Sequence, residues 1–155
     1  MSSPKPPPRT KRMHGVAAVE FAILLPLLFV LLSAPLYIGR VLWHYTVVQK
    51  AAHDAARYLA SVPESEMRTN GLAQNAAALA REIVAAELGD LNPGPTPPDI
   101  AVQCNHSSCN SITAWTSVQV TVQVEMHDPF LGSSLDSLDG LPLTGDVQMR
   151  YIGTR

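Results

Sequence analysis

Glu20 is the one charged residue in an otherwise apolar run of 23 residues, from Val16 to Ile38. A carboxylate costs roughly 2.5–3.5 kcal/mol near the centre of a membrane helix, and a buried charge is tolerated only beside a compensating partner. Gly15 stands five residues before Glu20, and Phe21 follows it directly. Because crossing a membrane does not require a carboxylate, this pattern predicts that Glu20 serves a specific contact.

Cys104 and Cys109 are the only cysteines, and they could form either a disulfide or part of a metal site. Outside the cytoplasm an even pair like this indicates a disulfide that pins the loop between the two residues. With His106 the pair offers two thiolates and one imidazole, fewer than the four ligands of a closed zinc site. We therefore predict the disulfide, no bound metal and no cofactor.

The remaining polar residues form no arrangement typical of an enzyme. The chain has no Gly-rich phosphate loop and no nucleophile elbow, and its other histidines are scattered. A run rich in Gly and Asp, from Gly132 to Gly145, is predicted to be loop. The carboxylates of Asp136, Asp139 and Asp146, also placed in loop, do not have the spacing of a calcium-binding loop. We predict that the protein is not an enzyme.

The apolar run is long enough to cross a bilayer at about 1.5 Å of rise per helical residue, and we assign residues 16–39 to a transmembrane helix. Pro26 and Pro35 lie inside it, and because proline removes a backbone hydrogen bond, each predicts a kink. A cleaved secretory signal fits poorly. Its apolar region is about 7–15 residues long, whereas the uncharged stretch from Phe21 to Ile38 has 18.

The charges on either side of the span predict its orientation. Residues 1–15 carry four basic residues, four prolines and no acidic residue, and are predicted to be a disordered leader. The positive-inside bias then places the N-terminus in the cytoplasm and residues 40–155 outside it. Without the leader the chain has 7 basic and 13 acidic residues, a net charge of about −6. This excludes a nucleic-acid partner, because phosphate binding needs the opposite sign.

Residues 15–21 read GVAAVEF and resemble the cleavage signal of type IV prepilins. The resemblance is closest to the Gly-x-x-x-x-Glu-(Phe/Tyr) form of Flp pilins and TadE-like pseudopilins of tight-adherence systems. It implies that an inner-membrane prepilin peptidase cuts after Gly15 and leaves Val16 as the new N-terminus, where many prepilins carry Phe. It also implies that Glu20, followed by Phe21, offers its carboxylate to the free amine of a neighbouring subunit.

A second segment, QKAAHDAARY at residues 49–58, resembles the alanine-rich segment that TadE-like proteins often carry just after the span. His53 and Asp54 stand where the family tends to show Arg and Glu. So many small residues predict close helix packing, either against the chain's own head or against another subunit.

The two resemblances together imply a minor pilin, or pseudopilin, that takes part in assembling a tight-adherence Flp/type IVb pilus. The expected location is the bacterial inner membrane, as a single-pass protein, or the pilus itself. The implied partners are the prepilin peptidase, other pilin or pseudopilin subunits, the inner-membrane pilus assembly machinery and membrane lipid. The alternative is a single-span anchor that carries a non-polymerising extracytoplasmic binding domain.

The helix is predicted to continue past the membrane as an amphipathic segment over residues 40–62, because neither Gly nor Pro interrupts it before Pro63. One face has apolar residues at spacings of three and four and is predicted to be buried: Val41, Tyr45, Val48, Ala52, Ala55 and Leu59. The opposite face is polar and predicted to be solvated: Arg40, His44, Lys50, Asp54 and Arg57.

Residues 63–155 are predicted to form a small α+β head, with a second helix on an antiparallel sheet of about three strands. After a polar loop, that helix is expected over 70–88. Its predicted buried stripe consists of Leu72, Ala76, Leu79, Ile83 and Ala86. The clearest strand alternates apolar and polar residues over 118–126. Its neighbours are expected at 100–103 and 147–152.

Overall fold

A computed structural model describes residues 14–91, 95–110, 116–127 and 140–153 of the chain. These residues fall into two units, one ending at Ile38 and the other beginning at Gly39. The basic leader lies outside the described residues except for its last two positions. The observed elements confirm the α+β class.

Helix α1 spans His14–Ser61, 48 residues in all. Its N-terminal part, which makes up the first unit, exposes large apolar side chains along its length, from Val19 to Ile38. By length and composition, α1 is the one helix among the described residues that could cross a membrane. Pro26 and Pro35 both lie inside it, and the kinks expected there remain predictions.

The second unit completes the head with two helices and a sheet. Helix α2 spans Glu64–Met67 and helix α3 spans Asn70–Leu88, followed by a single 3₁₀ turn. Strands β1 (Asp99–Cys104), β2 (Ser117–Met126) and β3 (Leu141–Arg150) form an antiparallel sheet in the order β1-β2-β3.

The prediction of a polar loop after Pro63 is wrong in part, because this segment contains helix α2. The carbonyl of Pro63 accepts hydrogen bonds from the backbone amides of Glu66 and Met67, at 3.1 and 3.2 Å. Glu64 and Glu66 lie in the first turn, where carboxylates complement the positive end of a helix. The turn also buries Met67 completely, which fixes it to the core.

Strand β2 is the centre of the sheet, and its predicted alternation is confirmed. Its buried residues are Val118, Val120, Val122, Val124 and Met126. Strand β3 begins six residues earlier and ends two residues earlier than the predicted 147–152. The prediction of a loop over residues 141–145 is therefore wrong, because these residues belong to the strand. The ladder with β2 runs from the pair Met126–Leu141 to the pair Ser117–Arg150. Pro142 is compatible with β3 because a strand at the edge of a sheet can leave one N–H side unpaired.

Helix α3 lies where it was predicted, but its buried face is different. Its buried residues are mostly small: Ala73, Ala76, Ala77, Ala80, Val84 and Leu88. Of the predicted stripe only Ala76 is buried, whereas Leu72 and Leu79 are exposed over nearly half their surface and Ala86 is exposed. The stripe was wrong because an alanine face lets the helix approach the core more closely than a leucine face would.

The C-terminal part of α1 provides much of the core of the head. Its fully buried residues are Val48, Ala51, Ala52, Ala55, Ala56 and Leu59. Two of the predicted face assignments were wrong. His44, predicted to be solvated, is only 2% exposed, and Tyr45, predicted to be buried, is 43% exposed. The His44 ring tolerates burial because its Nδ1 atom hydrogen bonds to the Arg40 carbonyl at 2.9 Å.

Candidate functional site

The residues of the candidate processing signal lie in the first two turns of helix α1. Gly15 and Glu20 are five residues apart, an axial rise of about 7.5 Å, and Val16 precedes Glu20 by four residues, about one turn. A Cβ atom on Gly15 would meet nothing within 4 Å among the described residues. Packing against the described residues therefore does not require a glycine at position 15.

Glu20 projects from an apolar helix surface, and the described residues place no compensating charge beside it. Its side chain is exposed, and it forms no salt bridge to any residue in the described part of the chain. Phe21 lies beside it at the edge of an apolar groove that leucines of the next three turns complete. The same segment thus offers a carboxylate that needs a cation and a groove that fits an apolar side chain.

The alanine-rich segment at residues 49–58 packs inside the chain's own head. Ala51, Ala52, Ala55 and Ala56 are all fully buried within the hydrophobic core. The segment was predicted to pack either against the chain's own head or against another subunit. The buried alanines pack against the chain's own head.

Lys50, on the outer side of the same segment, joins helices α1 and α3. Its Nζ atom lies 2.7 Å from Oε2 of Glu87 and 3.9 Å from Oδ2 of Asp54. The hydrogen bond and the charge of Glu87 raise the pKa of Lys50. The sequence predicts the Asp54 pair from its i, i+4 spacing. It carries no local signal for Glu87, which is 37 residues away.

Two glycines hold the end of the chain and strand β3 against helix α1. A Cβ atom on Gly145 would lie 3.0 Å from both Cγ1 and the carbonyl oxygen of Val48. At Gly153, where φ is +23°, a Cβ atom would lie 2.5 Å from the Tyr151 hydroxyl. That hydroxyl donates a hydrogen bond to the Val62 carbonyl at 2.7 Å, and burial raises the pKa of Tyr151. The contact of Gly145 with Val48 was not predicted, because Gly145 was assigned to a loop.

Cys104 and Cys109 are brought together at one end of the sheet, with their sulfur atoms at a bonding distance of 2.00 Å. Asn105 and His106 form the turn between them with positive φ angles of 50° and 63°. The Asn105 side chain fixes this turn by accepting hydrogen bonds from the backbone amides that precede and begin β2, at 2.9 and 3.0 Å. His106 is exposed, and no three metal-ligating side chains are grouped within the part of the chain that the structure describes.

The three loop aspartates do not form a described cluster. Asp136 and Asp139 lie outside the described residues, and Asp146 was wrongly placed in a loop because it belongs to β3. Its Oδ1 atom accepts hydrogen bonds from Gln119 at 2.9 Å and from Thr121 at 2.7 Å. These two bonds lower the pKa of Asp146, so its carboxylate stabilises the outer face of the sheet.

An apolar N-terminal helix with a carboxylate in its first turns, followed by a small α+β head, is the architecture expected of a pilin-like protein. Residues 15–57 match the family model described as TadE-like protein. The matched region includes the 15–21 signal and nearly all of the alanine-rich segment, and it confirms the resemblance to TadE-like pseudopilins. The match indicates a function related to the Tad/Flp pilus. No curated protein and no solved structure matches the chain.

Proposed function

We propose that the protein is a minor pilin, or pseudopilin, that takes part in assembling a tight-adherence Flp pilus after a prepilin peptidase has cut it behind Gly15. The observation that carries the proposal is Glu20, an exposed carboxylate on an apolar helix with no described charge partner. It stands five residues after a glycine that packing against the described residues does not require. We propose no catalytic role for any residue.

Cleavage would act on the first turn of α1, which begins at His14. The end of a helix opens at low cost, because the first amides have no intrahelical partner. The peptidase can therefore bind the bond between Gly15 and Val16 in an extended form without disturbing the rest of the helix. A glycine fits a subsite that admits no side chain, which would account for a glycine that packing against the described residues does not require.

Cleavage would also create the partner that Glu20 needs. The new terminus at Val16 is a free ammonium group, located at the end of the helix that already carries a partial positive charge. Glu20 can pair with this group in its own chain or in a neighbouring subunit. A charge that is buried and then left unpaired costs about 3–5 kcal/mol, so the pair favours one axial register between two helices. The groove beside Phe21 supplies apolar packing to the same contact.

The similarity to TadE-like proteins suggests the proposed partners. A prepilin peptidase would read Gly15, other pilin or pseudopilin subunits would pair through Glu20, and inner-membrane assembly machinery would take up the processed subunit. An N-terminal apolar helix such as α1 could anchor the protein in the membrane. The basic leader favours a cytoplasmic N-terminus and an extracytoplasmic head.

The test compares two glycine substitutions in the same helix. Gly15→Leu should block cleavage and leave a membrane-inserted precursor, because the span is unchanged. Gly39→Leu is the matched control, since a Cβ atom there also meets nothing within 4 Å, and it should be processed normally. Each variant is expressed with and without the peptidase, and the N-terminus of the product is sequenced. Normal trimming of Gly15→Leu would overturn the proposal, and an intact leader in the wild-type protein would favour a non-polymerising anchored domain.

A further inference from the structure

The first turn of α1 within the head exposes an unusual group of large apolar side chains. Leu42 is 57% exposed, Trp43 54% and Tyr45 43%. They occupy neighbouring positions around one turn, whereas Val48 and the alanines that follow are buried in the core. The exposed positions become polar further on, beginning with Thr46.

The two hydroxyl groups of this turn are already hydrogen bonded within the helix. The Thr46 hydroxyl donates to the Trp43 carbonyl at 2.7 Å. The Tyr45 hydroxyl accepts a hydrogen bond from the Gln49 amide at 3.1 Å, one turn closer to the polar segment. The turn therefore exposes hydrocarbon and aromatic surface while each of its hydroxyl groups makes a hydrogen bond, which suits a lipid environment.

The position of the turn fits the lipid headgroup layer. Gly39 and Tyr45 are six residues apart, an axial rise of about 9 Å. The headgroup layer on each side of a bilayer is about 5–8 Å thick, the difference between total thickness and hydrocarbon core. Trp and Tyr are enriched in this layer because each has an apolar ring and a polar group.

We propose that Leu42, Trp43 and Tyr45 are embedded in the lipid headgroup layer, so that the lipid-contacting surface of α1 reaches Thr46 and does not stop at residue 39. The inference rests on the membrane anchoring in the proposed function. The Tyr45 hydroxyl and the Gln49 amide then mark the aqueous boundary of the layer.

Trp43 makes this contact measurable. The chain has two tryptophans, so Trp115→Phe leaves Trp43 as the single reporter. The full-length variant is reconstituted into phosphatidylcholine vesicles whose acyl chains are brominated near the headgroup or near the chain end, and iodide is added as the aqueous quencher. The control carries Trp43→Phe, Trp115→Phe and His53→Trp, because His53 is exposed on the same helix about 15 Å further from the span.

Trp43 should be quenched at least twofold more by bromine near the headgroup than by bromine near the chain end, and should resist iodide. The tryptophan of the control, at position 53, should be quenched by iodide and by neither brominated lipid. If Trp115→Phe does not fold, the difference between wild type and Trp43→Phe gives the same signal. Iodide quenching of Trp43, or protection from both quenchers by another subunit, would overturn the headgroup contact alone. Failure of the protein to float with the vesicles would overturn the anchoring that both proposals require.

Discussion

Gly145→Ala should destabilise the head, because the added Cβ atom has no room. It would lie 3.0 Å from Cγ1 of Val48, 3.0 Å from the Val48 carbonyl oxygen and 3.2 Å from the carbonyl carbon. Two of these three atoms are backbone atoms of helix α1, so a change of side-chain rotamer cannot relieve the contact. The helix and strand β3 must move apart by a few tenths of an ångström.

Two opposing terms set the magnitude of the effect. Overpacking of a well-packed contact costs about 1–3 kcal/mol. Replacing glycine by alanine also restricts the unfolded chain, which raises the free energy of unfolding by about 0.4–1 kcal/mol. The net loss of unfolding free energy should be about 1–2 kcal/mol, and the melting temperature should fall by roughly 5–10 °C for a domain of this size.

The measurement is thermal unfolding of the full-length protein in detergent, followed by near-ultraviolet circular dichroism. Gly89→Ala is the control, since its φ of −56° suits alanine and nothing lies within 4 Å of the added Cβ atom. It should raise the free energy of unfolding by about 0.4–1 kcal/mol. A Gly145→Ala protein as stable as the wild type would show that β3 does not pack on Val48 as described.

Three further predictions concern the assembly carboxylate, the cysteine pair and the sheet. Glu20→Ala should give a cleaved, stably inserted protein that no longer crosslinks to pilin partners, and normal crosslinks would mean that the charge is incidental. Cys104 and Cys109 should resist alkylation until reduced, as intact mass would show, and reduction should cost about 2 kcal/mol of stability for a ring this short. Asp146 has a lowered pKa in the folded state, so its stabilising contribution is present near neutral pH and is lost as the pH falls through that pKa. The difference in melting temperature between wild type and Asp146→Asn should therefore shrink on going from pH 6 to pH 2.5, and a constant difference would contradict it.

The sequence predicted best those elements in which one pattern persists over many residues. Helix α1 follows from a long apolar run and an amphipathic continuation, and β2 follows from strict alternation over 118–126. In both, the local preference of the residues and their packing in the fold agree. The candidate processing signal was predicted for a different reason, since Gly15 and Glu20 form a short motif that needs no knowledge of the fold.

The predictions were wrong where the distance between packed elements determines which residues are buried. Helix α3 has two apolar stripes, and hydrophobicity alone favours the one with Leu72 and Leu79. The fold instead buries the stripe with Ala73 and Ala80, because the neighbouring elements approach closely. Gly145 was misassigned for the same reason, since a glycine required by close approach and a glycine in a loop look alike in a sequence. The pair of Lys50 and Glu87 joins residues far apart in the chain, and no local pattern indicates it.

The burial of the alanine-rich segment limits how the protein can contact other subunits. Its four central alanines are buried in the core of the head, so they cannot contact another subunit. The stretch of α1 from Ala17 to Ile38 is exposed apart from a few half-buried positions, and it includes Glu20 and the groove beside Phe21. The two resemblances to TadE-like proteins therefore reflect different physical demands. The first segment carries the groups proposed to meet a peptidase and another subunit, and the second holds the head on its own helix.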